Sequence, residues 1–109
     1  HIPARYDLAE LLLRGGAKDK AKGADLLRTV AESGFAPAQR SLAQHLYSGR
    51  DFARDLIRSY KWMSLAVRSW PTNDRNDLFL ELQGIERSLT PEQLTAAKTE
   101  VREWKPSPL

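Results

Sequence analysis

Apolar residues recur along this chain at the spacing of an α-helix, and glycine or proline interrupts them at regular intervals. In the first such stretch, Ala4, Leu8, Leu11 and Leu12 are separated by 4, 3 and 1 positions, which places them on one face of a helix and is not typical of a strand. Similar stretches follow and predict six helices. We expect them over residues 3–14, 19–32, 37–48, 53–69, 72–87 and 91–104. The predicted fold class is therefore all-α.

Short motifs mark where some of these helices begin and end. Gly15 and Gly16 are expected to end the first helix, because glycine readily adopts the left-handed conformation of a C-cap. Asp19 is the predicted N-cap of the second helix. The four residues from Thr90 to Gln93 read Thr-Pro-Glu-Gln, which predicts a capping box at the start of the sixth helix.

The first four helices form a repeat. Small and apolar positions of the first helix reappear 34 residues later, and those of the second helix reappear 36 residues later. At the 34-residue offset, the equivalents of Ala4, Leu8, Ala9, Leu12 and Gly15 are Ala38, Leu42, Ala43, Leu46 and Gly49. The second copy therefore carries two extra residues in the loop after Gly49. A period of this length is typical of a solenoid of stacked helix pairs.

We accordingly predict one domain, a right-handed α/α solenoid of three antiparallel helix pairs. Residues 1–35 form repeat 1, residues 36–71 form repeat 2, and residues 72–109 form a capping pair. The last pair lacks the glycine and aspartate markers of the first two, as terminal units of solenoids often do, because one of their sides must face water. The chain enters the pattern almost at its first residue, so we expect a fragment of a longer protein.

Composition narrows the range of functions. With 109 residues, no cysteine and no long apolar run, the chain is expected to have no disulfide, no thiol chemistry and no transmembrane helix. The net charge of +3 is unevenly distributed. Residues 1–71 hold 12 basic and 7 acidic side chains, whereas residues 72–109 hold 5 and 7.

The repeated residues resemble the Sel1-like repeat (SLR) family, which is related to the tetratricopeptide repeats. The family pattern of the first helix, A-x-x-x-L-G-x-x-Y-x-x-G, is matched at Ala4, Leu8 and Gly15 and again at Ala38, Leu42 and Gly49. The pattern of the second helix, D-x-x-K-A-x-x-W-Y-x-K-A-A, is matched at Asp19, Lys22, Ala31 and Glu32, and then at Asp55, Arg58, Trp62 and Ala66. The chain departs from the family in having Ala9 and Ala43 for glycine, and Leu12 and Leu46 for tyrosine.

The resemblance implies that the first helix of each pair lines a concave face on which partners bind. By helical geometry, several polar positions of the first and third helices lie opposite the predicted buried stripe. The predicted partner-binding residues are Tyr6, Glu10, Arg14, Arg40, Gln44 and Tyr47. Tyrosine and arginine are enriched at the energetic centres of interfaces. The alternatives are a plain solvated face and, for the residues of the first helix, contact with a preceding repeat.

The fourth helix also carries a basic stripe, formed by Arg54, Arg58, Lys61 and Arg68. Such a stripe could meet phosphates or an acidic protein surface, although most stripes of this kind are solvated faces. Nucleic-acid binding is not expected, since no aromatic residues alternate with the basic ones on that side. His45, the only internal histidine, is expected to be structural.

These residues predict a non-enzymatic protein–protein interaction scaffold or adaptor that takes a protein or peptide partner. No catalytic residue, metal ligand or cofactor is predicted. The alternative is an accessory or regulatory subunit of a larger bacterial, envelope-associated complex. An enzyme acting on cell-envelope polymers is not favoured, because no nucleophile, base and acid converge in the sequence. The resemblance favours the periplasm or cell envelope over the cytoplasm, while the residues themselves leave the compartment open.

Overall fold

The computed structural model describes residues 1–109 and consists of six α-helices with no strand. The helices are α1 (Ile2–Leu13), α2 (Ala17–Glu32), α3 (Ala36–Ser48), α4 (Leu56–Ser69), α5 (Asn76–Arg87) and α6 (Pro91–Glu103). The predicted all-α class and the number of helices are confirmed.

Three helices begin later or earlier than predicted, for reasons of capping. Helix α2 begins at Ala17 with Gly16 at its N-cap, so the predicted capping role of Asp19 is wrong. Asp19 instead lies in the first turn, where a negative charge interacts favourably with the helix dipole. Helix α4 begins only after Asp55, whose carboxylate accepts a hydrogen bond from the backbone N–H of Arg58 at 3.0 Å. Helix α5 begins at residue 76, because the preceding Pro-Thr-Asn-Asp sequence favours a turn.

Glycine ends only some of the helices by adopting a left-handed conformation. Gly49 has a φ of 69° after α3, whereas α1 ends before Gly15 although neither Gly15 nor Gly16 has a positive φ, so only the left-handed conformation predicted there is wrong. A Cβ on Gly15 would lie 2.8 Å from a carboxylate oxygen of Asp19, and this close approach explains why a glycine fits there. At the other end of the chain, the capping box between Thr90 and Gln93 is present, as predicted.

The helices form two layers. Side-chain contacts join α1 to α3 and α3 to α5, and these three helices form the first-helix layer. Helices α2, α4 and α6 form the second-helix layer, where Lys61 faces Glu100 at 3.8 Å and the rings of Trp62 and Trp104 meet edge to face at 6.2 Å. Within this arrangement α1 packs on α2 and α3 packs on α4, whereas α5 and α6 each pack on α4.

The apolar core lies between the two layers. Its largest fully buried apolar side chains are Leu27, Val30, Leu42, Met63 and Leu78. Gln39 is also fully buried, and its amide donates to the carbonyl of Ala31 at 3.2 Å while its oxygen accepts from the hydroxyl of Ser69 at 3.4 Å. Every buried side-chain nitrogen and oxygen has a hydrogen-bond partner. These hydrogen bonds compensate for removing the Gln39 amide from water.

The buried face of α1 differs from the predicted one. Ala9 and Leu13 are buried, whereas Leu8 is 48% exposed and Leu11 is 62% exposed. The equivalent of Leu8 in the second repeat, Leu42, is buried because α3 packs against both α2 and α4, while α1 packs closely only against α2.

Candidate functional site

The six predicted partner-binding residues belong to the first-helix layer, and five of them are engaged by neighbouring segments. The ring of Tyr6 packs against that of Phe35, with centroids 5.6 Å apart. Burial raises the pKa of the Tyr6 hydroxyl, and the negative charges of Glu10 and Asp7 raise it further. Tyr6 therefore acts partly as a packing residue between α1 and the start of α3.

Two further residues of α1 have contrasting surroundings. The carboxylate of Glu10 accepts a hydrogen bond from the hydroxyl of Ser41 on α3 at 2.6 Å. Arg14, which caps the C-terminus of α1, is exposed and forms no ion pair. Among the six predicted residues, Arg14 is therefore the one whose side chain has no hydrogen bond, ion pair or ring contact in the structure.

The three predicted residues of α3 point toward α5. Arg40 and Gln44 both donate hydrogen bonds to the carboxylate of Glu81, and the Arg40 guanidinium also lies 5.6 Å from the centre of the Trp70 ring. The hydroxyl of Tyr47 is 3.4 Å from that of Ser88, which is long for an O–H···O hydrogen bond. Tyr47 remains 38% exposed.

Sequence reasoning missed the α5 side of this arrangement. Glu81 joins two predicted residues, yet nothing in the sequence distinguishes it from the other carboxylates of the last third of the chain. Its position opposite Arg40 and Gln44 depends on how α5 is aligned with α3, which is a tertiary property. A weak signal exists, since Arg40 and Gln44 are four residues apart and could share one acceptor on a neighbouring helix.

A small cavity lies where α3 meets α5, and we call it the α3–α5 notch. Its volume is about 230 Å³, and its lining consists of Gln44, Tyr47, Met63, Glu81, Gly84 and Ile85. Met63 and Ile85 are buried and form its apolar floor. A Cβ on Gly84 would meet no atom within 4 Å, so this wall of the notch is open. The notch brings Gln44 and Tyr47 together, whereas Tyr6 and Glu10 lie at the α1–α3 junction.

The basic stripe predicted on α4 divides into two parts. Arg54, Arg58 and Lys61 line a cleft in the second-helix layer together with Arg28 of α2. Arg68 lies outside this cleft, in a shallower depression near α6. The carboxylate of Asp55 accepts a hydrogen bond from Arg58 at 2.9 Å and raises the pKa of its guanidinium, with a further contribution from the charge of Glu100.

The remaining side chains with potential chemistry have structural surroundings. His45 stacks on Phe52 with ring centroids 4.9 Å apart. No three histidine, cysteine, aspartate or glutamate side chains converge in an arrangement that could hold a metal ion. None of the six helices combines the length and the apolar character needed to cross a membrane.

Comparisons with known proteins agree with this architecture. No protein-family model and no curated protein sequence matches the chain. Among solved structures, the chain is similar to c5321, a protective antigen present in uropathogenic Escherichia coli strains that displays an SLR fold. The TM-score is 0.77 and the identity is 27%, over 95% of this chain and 22% of that one. The chain therefore shares the SLR fold of that protein, as its repeated motif predicted.

Proposed function

We propose that this domain is a non-enzymatic scaffold or adaptor that binds a protein or peptide segment on its first-helix layer, at the α3–α5 notch. The SLR fold generally serves protein interaction and is usually non-catalytic. The composition of the notch supports it as the place where a partner binds.

The observation that carries the proposal is the combination of an apolar floor with a polar, partly exposed rim. Binding sites are commonly concave and mostly apolar, with a few polar groups that fix the orientation of the ligand. In the notch, Met63 and Ile85 provide the apolar surface, while Gln44, Tyr47 and Glu81 provide polar groups. An apolar side chain of the partner would enter the notch, and the adjoining backbone would exchange hydrogen bonds with the rim.

Tyr47 is the residue of this rim from which we expect the largest contribution. Its ring is held by the Arg54 guanidinium, which lies 5.4 Å from the ring centre, so little side-chain freedom is lost on binding. Its hydroxyl has only a long contact with Ser88 and can form a better hydrogen bond with a partner. Tyrosines of this kind are enriched at interface hot spots.

Filling the notch tests the proposal. Gly84→Leu places a larger side chain at the open wall of the notch, where a Cβ meets no atom within 4 Å, and Gly84→Ala is the matched control that leaves most of the volume free. Each variant is used as bait in extracts of the source organism. We expect partner recovery to fall sharply with Gly84→Leu and to be retained with Gly84→Ala.

A second comparison separates the two ends of the layer. Tyr6→Ala/Tyr47→Ala removes a ring at the α1–α3 junction and one at the notch, and each single variant shows which ring matters. We expect Tyr47→Ala to account for most of the loss of the double variant. Unchanged recovery with both the double variant and Gly84→Leu would contradict binding on this layer.

The exposed apolar surface of α1 supports the second candidate, an accessory or regulatory subunit of a larger bacterial envelope-associated complex. Leu8 and Leu11 stand side by side with roughly half or more of their surfaces in water. Contiguous exposed apolar residues often mark an interaction surface. Stoichiometric co-purification that is lost in Leu8→Glu would support this candidate, and a stable monomer in native extracts would contradict it.

A further inference from the structure

The loop between α3 and α4 contains the two residues that repeat 2 has beyond those of repeat 1. It forms one wall of the cleft in the second-helix layer. Five residues, 50–54, separate Gly49 from Asp55, whereas three residues separate Gly15 from Asp19. The longer loop carries Phe52, which is buried, and Arg54, which is exposed. The longer loop therefore adds a buried aromatic residue that the loop of repeat 1 lacks, whereas Arg54 is the equivalent, 36 positions later, of Lys18.

Two guanidinium groups that line the cleft, those of Arg28 and Arg54, lie over aromatic rings. Arg28 reaches from α2 over the ring of Phe52, 4.9 Å from its centre. Arg54 lies over the ring of Tyr47 at 5.4 Å. Cation–π contacts of this kind hold a flexible side chain in place and leave its N–H groups available at the edge of the guanidinium.

The cleft itself has the dimensions of a ligand site. Its volume is about 440 Å³, which lies within the range of roughly 300–1,000 Å³ that is usual for binding pockets. Its apolar lining includes Leu42, Leu46 and Trp62, and four cations line it as well. The cations are Arg28, Arg54, Arg58 and Lys61.

These four cations differ in how far the protein already neutralises them. Arg58 is paired with Asp55 at 2.9 Å, and Lys61 lies 3.8 Å from Glu100. By contrast, Arg54 has no carboxylate within 4.0 Å, and Arg28 has only the exposed Asp25 at 3.5 Å, without a hydrogen bond. Two guanidiniums of the cleft therefore have unused donors, and a guanidinium matches the two oxygens of a carboxylate.

We propose that this cleft binds an acidic peptide segment, whose carboxylates pair with the guanidinium groups of Arg28 and Arg54. The cleft opens between α2 and α4, whereas the α3–α5 notch lies in the other layer. The two proposed sites therefore lie in different layers, with the Arg54–Tyr47 contact between them, and the acidic segment is a second ligand.

The other charges of the cleft favour a peptide over a nucleic acid. Glu32 and Asp55 also line it, and the Glu32 carboxylate accepts a hydrogen bond from the Trp104 indole at 2.8 Å. A continuous row of phosphates would approach these carboxylates, whereas the side chains of a peptide can avoid them. Trp62 is buried and offers no exposed ring on which a base could stack.

A short fluorescein-labelled peptide of alternating aspartate and leucine provides the probe, with an asparagine–leucine peptide as its uncharged counterpart. Fluorescence anisotropy measures binding to the wild-type domain and to Arg28→Gln, Arg54→Gln and Arg68→Gln. Arg68→Gln removes the same charge from an exposed site outside the cleft. All three side chains are exposed, and circular dichroism verifies that each variant is folded.

We expect the aspartate peptide to bind and the asparagine peptide to bind at least tenfold more weakly. Loss of one charge-assisted contact should weaken binding by about tenfold in Arg28→Gln and in Arg54→Gln. Arg68→Gln should change it less than about twofold, because the site lies away from the cleft. Gly84→Leu should leave this binding unchanged, which separates the cleft from the notch.

Several results would overturn the proposal. Equal binding of the two peptides would remove the role of the carboxylates, and equal weakening in Arg68→Gln would indicate general charge attraction. Tighter binding of a DNA duplex than of the aspartate peptide, measured in competition, would assign the cleft to a different ligand class. Failure of the aspartate peptide to bind at low ionic strength would also contradict it.

Discussion

The two repeats place equivalent residues in different surroundings. Leu42 is 2% exposed and Ala38 is fully buried, whereas Leu8 is 48% exposed and Ala4 also faces solvent. Both pairs of residues occupy the same positions of the repeat, 34 residues apart. The difference arises because α3 lies between α2 and α4, while α1 has a closely packed neighbour on one side only. The repeat therefore specifies which positions can be buried, and the neighbouring helix decides whether they are.

The contact between the two helices of a pair is found at equivalent positions in both repeats, although its chemistry differs. In repeat 1, Gly23 lies against the backbone of α1, and a Cβ there would be 3.0 Å from the carbonyl oxygen of Ala9. In repeat 2, the equivalent Ser59 is fully buried, and its hydroxyl donates to the carbonyl of Ala43 at 2.7 Å. The close approach of α2 to α1 at Gly23 in repeat 1 thus corresponds to a hydrogen bond from Ser59 to α3 in repeat 2.

Truncating the equivalent leucines should show the largest difference between the repeats. We expect Leu42→Ala to lower the free energy of unfolding by about 2–5 kcal/mol, because it removes buried surface and leaves a cavity. Leu8→Ala should lower it by less than about 1 kcal/mol, since half of that side chain already contacts water. Urea denaturation followed by circular dichroism measures both. Equal losses would show that Leu8 is covered in solution.

Adding a methyl group to two helical glycines tests the closeness of the α1–α2 contact. Gly23→Ala should destabilise the domain by about 1–3 kcal/mol, because the new Cβ would lie 2.9 Å from the Leu12 Cβ and close to the backbone. Gly84→Ala in α5 meets no atom and should stabilise it by roughly 0.5–1 kcal/mol through the higher helix propensity of alanine. Thermal melts of both variants show whether each substitution raises or lowers the stability of the domain. Stabilisation by Gly23→Ala would mean that α1 and α2 are farther apart.

Removing the hydroxyl of Ser59 tests the corresponding contact of repeat 2. We expect Ser59→Ala to cost about 0.5–1.5 kcal/mol, the usual net contribution of one hydrogen bond. The loss should be smaller than that of Gly23→Ala, because truncation creates no steric overlap. Chemical denaturation of Ser59→Ala and Gly23→Ala under the same conditions makes this comparison. The opposite order would contradict it.

The smallest expected effect concerns Tyr6 at alkaline pH. Burial, together with Glu10 and Asp7, raises its pKa above the value in the unfolded chain. Because the unfolded chain then loses this proton first, the contribution to stability is complete below about pH 10 and falls as the pH rises further. Tyr6→Phe should therefore lose less stability than the wild type between about pH 9 and pH 11. Parallel denaturation at several pH values measures this, and identical slopes would contradict it.

Local properties of the sequence were predictable, and relations between distant helices were not. The six helices, the repeat and the capping box follow from apolar spacing and from motifs of a few residues. Equivalent aspartates nevertheless differ, since Asp55 caps α4 after the longer loop while Asp19 lies inside the first turn of α2. Here the length of the preceding loop decides the role of the residue.

At the candidate site, too, local features were predictable and relations between distant helices were not. Helical geometry identified Arg40, Gln44 and Tyr47 as one exposed row of α3, and the structure places all three toward α5. It could not identify Glu81 or Gly84, because their positions depend on the alignment of α5 with α3. Helical geometry also did not predict that Arg28 of α2 and part of the basic stripe line the same cleft, since those residues belong to different repeats.

The most direct test of the central proposal is site-specific photo-crosslinking in the source organism. A benzoylphenylalanine at the exposed position 88, where Ser88 lies 3.4 Å from the Tyr47 hydroxyl, reports on the rim of the α3–α5 notch without filling it. One at the exposed position 96 of α6 reports on a surface that lines neither proposed site. We predict a discrete protein adduct from position 88 and none from position 96. An adduct from position 96 alone, or none from position 88, would contradict partner binding at the notch.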